Sequence, residues 1–214
     1  MDGIITHHHH EHGLDATQVE MMNQLELNMG PGADEQMRSL GEEGLTRIVL
    51  RRWLTARKWH LANATKDLTA HVKWRSETMP SGSIDPADVI ESVDENKAFI
   101  QGLDYLGHPV TVVYVKRHLP KSYDHILKFI CYTLDAAVRL GSQSPTWDGK
   151  LTGVLYLTGM TMSNYDVTGL RAIFDALANH YPERLHRLYL YNAPTLFYAL
   201  WRVVLPFVVC ACVY

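Results

Sequence analysis

The sequence predicts an α/β protein: a small N-terminal helical module followed by a domain built on a mainly parallel sheet. Three observations carry this reading. Between Leu45 and Val72, apolar residues recur at three- and four-residue steps, as along one face of a helix. Residues 110–115 (Val-Thr-Val-Val-Tyr-Val) form a nearly continuous β-branched run. Beyond them helix-like and strand-like stretches alternate, an order that places parallel strands in one sheet through right-handed crossovers.

Residues 1–44 hold His7 to His10, His12, several glycines and a proline without a sustained 3.6-residue apolar period, which predicts a flexible leader. Its histidine cluster is read as a solvated tail, a tag remnant or a transition-metal site. Leu45, Ile48, Val49, Trp53 and Ala56 form the first helical stripe, and Ala64, Leu68 and Val72 the second. Pro80, Ser81 and Gly82 end the helical module, placed at residues 45–80. Residues 97–100 and 109–115 then flank Asp104-Tyr105-Leu106-Gly107-His108, a hairpin-length turn in which Gly107 supplies a positive φ. The run at 110–115 reads as a strand covered on both faces. Residues 123–140 read as a helix ended by Gly141, 151–157 as a strand, 166–180 as a helix and 187–191 as a strand. A last helix over 195–205 is closed by Pro206. The second domain is placed at residues 90–214.

The net charge of −3 with histidine neutral gives no general basic excess of the kind phosphate-tracking domains carry, so nucleic acid is not an expected partner. Three cysteines, Cys131, Cys210 and Cys212, with no signal segment at the start, point to a reducing, cytoplasmic setting. No phosphate loop, dinucleotide fingerprint or Gly-x-Ser-x-Gly elbow is present. Cys131 lies in an apolar helical stripe and reads as a buried structural thiol. Cys210 and Cys212 lack partner ligands for zinc. The expectation is a non-enzymatic protein with no catalytic residue, resident metal or cofactor.

Residues 179–194, Asn-His-Tyr-Pro-Glu-Arg-Leu-His-Arg-Leu-Tyr-Leu-Tyr-Asn-Ala-Pro, lead from a helix through a polar loop and an apolar strand into a turn. This stretch resembles the signature of the CRAL-TRIO lipid-binding family, in its phosphatidylinositol/phosphatidylcholine-transfer branch. Leu50-Arg51-Arg52-Trp53-Leu54-Thr55-Ala56-Arg57-Lys58-Trp59 is similar to a helix of the family's N-terminal module, Trp74-Arg75 closes the second helix as in the family, and Trp201 with Pro206-Phe207 resembles the helix that follows the family's Asn-Ala-Pro turn. The resemblance covers residues 45–207. It implies a helical module on an α/β domain whose sheet floors an apolar pocket for one phospholipid, exchanged at a transient membrane contact by a monomer. Binding and transfer of phosphatidylinositol is the expected function. A non-transferring interaction module and, more remotely, an α/β hydrolase or phosphatase are the alternatives.

Carried over residue by residue, the resemblance places Arg57 and Lys58 at the lipid phosphate and Glu183 near the inositol. Guanidinium binds phosphate through two hydrogen bonds, whereas lysine acts as a point charge. The same residues admit structural roles. Arg57 can pair with Glu183 or another acid, Lys58 can lie on a solvated face of the cationic run Arg47, Arg51, Arg52, Arg57, Lys58, and Glu183 can fix its loop.

The sequence departs from the family at several positions. His60 replaces a helix-capping aspartate, at an expected cost of about 1 kcal/mol if nothing substitutes for it. His108 replaces an arginine, Tyr156 an aspartate, and Leu151 and Gly153 lack the hydroxyls of phosphatidylcholine-handling members. After Phe207 the family's continuation is missing, so the domain is expected to be incomplete, as a truncated or alternative isoform with impaired transfer. Residues 195–214, with Arg202 as the only charge, are long enough to span a bilayer, but Arg202 and Pro206 oppose a tail anchor.

Overall fold

The computed structural model describes residues 13–195 and residue 197. The expectations for His7 to His10 and His12, the last helix beyond its start, Cys210, Cys212 and the apolar tail fall outside the described residues. The chain divides into two compact units, residues 1–83 with 145–149 and residues 84–144 with 150–214.

The first unit contains α1 (Ala16–Met29), α2 (Ala33–Ser39), α3 (Arg47–Ala56) and α4 (Leu61–Thr78). The helices α1 and α2 overturn the expectation of a flexible leader through residue 44. Asp15 starts α1 with a reciprocal capping box: its carboxylate accepts from the Gln18 amide at 2.8 Å, and the Gln18 side chain accepts from the Asp15 amide at 3.1 Å. Gly30 ends the helix at φ +82°. Only a narrow stripe of α1 faces inward. Met22 and Leu25 are fully buried with Met37, Val49, Trp53 and Leu68 in one core, and Met29 packs at its edge.

Thr46 caps α3 by accepting from the Val49 amide. At α4 the expected loss of a cap is corrected: His60 occupies the N-cap, and its Nδ1 accepts from the Asn63 amide at 3.4 Å. Nor is the cationic run one solvated face. Arg51 is exposed, whereas Arg52 is buried with its guanidinium 3.9 Å from Glu43. Two glycines hold the loop after α2 against the turn after α4. Gly41 has φ +75°, and a Cβ there would stand 2.0 Å from the Gly82 carbonyl oxygen. Backbone cannot yield to such an approach, so only glycine fits.

The second unit begins with a 3₁₀ turn (Pro86–Val89) and α5 (Ile90–Asp94). It continues through β1 (Ala98–Leu103), β2 (Pro109–Tyr114), a 3₁₀ turn (Val115–Arg117), α6 (Tyr123–Gly141) and β3 (Leu151–Tyr156). A further 3₁₀ turn (Met162–Asn164), α7 (Val167–Asn179) and β4 (Leu185–Tyr191) complete it. The four strands lie in the order β1-β2-β3-β4. The β1–β2 pair is antiparallel, and β2–β3 and β3–β4 are parallel, so the sheet is mainly parallel as the alternation predicts.

At the hairpin, Asp104 Oδ1 accepts from the amides of Leu106 and His108, each at 2.9 Å, and Gly107 takes φ +85°. Ser122 and Asp166 cap α6 and α7, and Cys131 is fully buried on α6. One expectation for β2 fails. Residues 110–114 are half-buried rather than covered on both faces, because the two faces of the sheet are treated differently. Among the described residues, no helix is long and apolar enough to cross a membrane.

Candidate functional site

The pleat sorts the strands onto two faces. On one, Leu155 and Leu190 join Val115, Leu157 and Met160 in a cluster with Leu170 and Phe174 of α7, and Phe197. Gly153 shares this face, where a Cβ would stand 3.0 Å from Leu188 Cδ1. Its lack of a hydroxyl therefore bears on packing against the helices and not on the opposite surface.

That opposite surface follows from the register. Tyr114, Tyr156 and Tyr191 are consecutive partners across β2, β3 and β4, and Val112, Val154 and Tyr189 form the next row. The rings make a continuous series, Phe99 to Tyr114 at 5.7 Å, Tyr114 to Tyr156 at 4.9 Å and Tyr156 to Tyr191 at 5.0 Å between centroids. Spacings of this size suit offset and tilted aromatic contacts. Phe99, Tyr189 and Tyr191 are 37%, 39% and 57% exposed, and the tyrosines and valines between them are half-buried. Toward the hairpin the face turns polar at Thr152 and its neighbour Arg187. The Thr152 hydroxyl donates to Asp104 at 2.8 Å, and Arg187 Nη1 reaches the Tyr189 hydroxyl at 3.4 Å. The surface is thus aromatic at the carboxyl ends of the strands, aliphatic in the middle and polar at the hairpin end.

The three residues expected at a headgroup fall in different units. Arg57, at the end of α3, donates through Nε to Asp67 and lies 5.9 Å from the Trp53 ring centroid. Lys58 follows with φ 51° and an exposed side chain. Glu183 belongs to the second unit, has φ 58° and receives Lys150 Nζ at 3.4 Å. Arg57 and Lys58 are adjacent in the first unit, and each of Arg57 and Glu183 has an ionic partner within its own unit. His108, in place of the family arginine, is buried with its ring 4.3 Å from that of His186.

The aromatic row escaped sequence reading. Tyr114, Tyr156 and Tyr191 each close a strand, but their alignment becomes visible only once the register is known. The signal that was available is the recurrence of tyrosine at the last position of three successive strands.

Past the carboxyl end of β2 lies a second polar arrangement. His118 Nε2 donates to Asp166 at 2.9 Å while Lys97 Nζ approaches its Nδ1 at 3.4 Å, and Lys97 pairs with Glu95 at 2.7 Å. Burial holds the His118 imidazole below its ordinary value of 6.5, assisted by Lys97 and opposed by Asp166. Burial and then Lys121 lower His125. Above pH 6.5 these imidazoles are neutral in both folded and unfolded chains. As pH falls below 6.5 the unfolded chain takes up protons that the folded chain does not, so this contribution to stability is lost on acidification. Denaturation midpoints should decline from pH 6.5 downward, and His118→Gln should flatten that decline. A midpoint independent of pH in this window contradicts the assignment.

The second unit is thus an α/β unit with helices on one face of its sheet and a half-exposed aromatic and aliphatic surface on the other. Residues 94–209 match the CRAL/TRIO domain, and the chain belongs to that family. It is 25% identical over 171 residues to the phosphatidylinositol transfer protein CSR1 of Eremothecium gossypii, covering 73% of this chain and 38% of that protein. To the phosphatidylinositol transfer protein PDR17 of Saccharomyces cerevisiae it is 27% identical over 195 residues, covering 85% of this chain and 55% of that protein. The crystal structure of Sfh5 superposes with a TM-score of 0.66 at 16% identity, over 90% of this chain and 76% of that one, and so shares the fold. The chain spans from 16% to 55% of the length of the curated relatives it matches.

Proposed function

We propose that the protein binds a phospholipid, phosphatidylinositol by preference, on the aromatic face of its sheet and carries it between membranes without covalent chemistry. The observation that carries this reading is the row Phe99, Tyr114, Tyr156 and Tyr191, left half-exposed in a chain of the CRAL/TRIO family. Each methylene of an acyl chain removed from water contributes about 0.8 kcal/mol, so apolar burial on such a floor can offset extraction from a bilayer. The names of two relatives support phosphatidylinositol as the cargo. The family pattern supports Arg57 and Lys58 as phosphate contacts and Glu183 as an inositol contact. A cytoplasmic monomer that touches membranes transiently fits the same reading.

The test is extraction of lipid from the purified chain, with identification by mass spectrometry, beside transfer between vesicles. Phosphatidylinositol is expected in the extract. Arg57→Gln should lower phosphatidylinositol transfer about tenfold, the loss of one charge-assisted contact, with a smaller effect on phosphatidylcholine. Equal loss for both lipids would assign Arg57 to holding the helical module through Asp67. A lipid-free chain that transfers nothing would overturn the carrier reading. The same transfer rates measure the expected impairment.

A further inference from the structure

At the carboxyl ends of β2 and β3, the segments 115–121 and 159–168 are tied into one piece. The buried Asn164 side chain donates to the carbonyls of Lys116 at 3.1 Å and His118 at 2.9 Å. Its carbonyl oxygen accepts from the Thr161 amide at 2.9 Å. Below it, His118 meets Asp166 at 2.9 Å, and the other oxygen of Asp166 caps α7 at the Gly169 amide, 2.8 Å away. These bonds fix the backbones of both segments and leave Lys116, Leu119, Met162 and Val167 exposed, with Arg117 also exposed while its Nη1 donates to the Asn96 carbonyl at 2.7 Å.

Those outward side chains combine two chemistries. Leu119, Met162 and Val167 are 53%, 65% and 57% exposed. A lone exposed apolar residue means little, but three on two segments joined by one asparagine form a patch. Lys116 and Arg117 are exposed beside them. Within the two segments, three cations (Lys116, Arg117 and Lys121) stand against a single acid, Asp166, and Asp166 is buried and engaged with His118 and Gly169. Lys121 is neutralised by Glu91 and Glu95, which leaves the outward charge with Lys116 and Arg117. The Arg117 guanidinium also lies 4.7 Å from the Tyr114 ring centroid, so the patch adjoins the aromatic row.

We propose that segments 115–121 and 159–168 form a docking surface for an anionic bilayer, in which Leu119, Met162 and Val167 enter the interface and Lys116 and Arg117 meet lipid phosphates. This rests on the carrier reading to the extent that docking here sets the end of the aromatic row against the membrane. Apolar side chains supply insertion and cations supply attraction to acidic headgroups, each cation near the surface contributing enough for roughly a fivefold gain in binding. Salt should weaken the second component by screening.

The test is co-sedimentation of the full chain with vesicles of phosphatidylcholine alone and of phosphatidylcholine mixed with phosphatidylserine. Three variants are compared: Lys116→Gln with Arg117→Gln; Leu119→Ser with Met162→Ser; and, as a control at the opposite end of β2, Tyr105→Ser with Leu106→Ser. The wild type is expected to prefer the anionic vesicles. Both patch variants should lose at least about tenfold in binding to them, and the control should bind like the wild type. All substituted side chains are exposed, and a thermal melt checks that each variant is folded. No preference for anionic vesicles, patch variants that sediment like the wild type, or an equal loss in the control would overturn the proposal. Lipid content measured on the same preparations separates the two readings. Patch-dependent sedimentation by a lipid-free chain supports the surface and counts against the carrier, whereas a lipid-loaded chain indifferent to the patch variants overturns the surface alone.

Discussion

Replacing Arg75 by alanine is expected to cost about 3–5 kcal/mol of stability in the helical unit. Arg75 is 1% exposed. Its Nη1 lies 3.0 Å from Glu42 Oε1, and its Nε donates to the Leu40 carbonyl at 2.6 Å. His71 Nε2 reaches the same Glu42 oxygen at 3.3 Å. Removing the guanidinium takes the arginine cation from a nearly buried carboxylate, withdraws a donor from a backbone carbonyl and empties a large side-chain volume, and the three losses act in the same direction. Arg75→Met restores much of the packing without the charge, so it should recover only part of the loss. Adding Glu42→Leu to Arg75→Met removes the acid whose cation was lost and should bring the midpoint back toward the wild type. Four of the five tryptophans (Trp53, Trp59, Trp74 and Trp147) belong to this unit, so fluorescence during urea denaturation follows it selectively. A double variant no more stable than Arg75→Met would show that Glu42 does not need its cation.

The second large effect concerns the cargo. Val154→Asp is expected to leave the chain folded and lower its phospholipid content about a hundredfold, the equivalent of roughly 2.7 kcal/mol. Val154 lies in the aliphatic middle of this face, between its partners Val112 and Tyr189, and is half-buried. A carboxylate there keeps part of its hydration until a lipid covers it, after which it stands ionised against hydrocarbon. The penalty therefore falls on the loaded state. Val154→Ile keeps the apolar surface and should remain loaded, as judged by mass spectrometry of extracted lipid. Full occupancy in Val154→Asp would remove this face from the binding surface.

How much was legible in advance depended on whether the deciding interaction was local. The hairpin at Asp104 to His108, the helices 123–141 and 167–179, and the parallel pairing of β2, β3 and β4 all follow from periodicity and turn chemistry within short windows. The helix α1 did not, because its inward stripe is Met22, Leu25 and Met29 among polar neighbours. The stronger local sign was Asp15 with Gln18 at one end and Gly30 at the other. The cap on α4 was misjudged by residue type, since an imidazole nitrogen can accept a backbone proton as a carboxylate does. Arg57 could be placed on its helix, but its partner Asp67, ten residues on in α4, depends on how two helices meet. The aromatic row lay furthest from reach. It consists of residues 42 and 35 positions apart in sequence, brought side by side only by strand register.

The α1 stripe also has a practical bearing on where this protein can be cut. A shortened version starting at Leu45, the first apolar residue with a clear helical period, would discard Met22, Leu25, Met37 and Leu40 and leave Val49, Trp53 and Leu68 without the side chains they pack against. Such a fragment would present a wide greasy flank to solvent and should aggregate on expression, whereas one starting at Asp15 keeps both the flank covered and the α1 cap. The boundary of the smallest soluble piece is thus set by an aspartate thirty residues upstream of where the hydrophobic pattern becomes obvious.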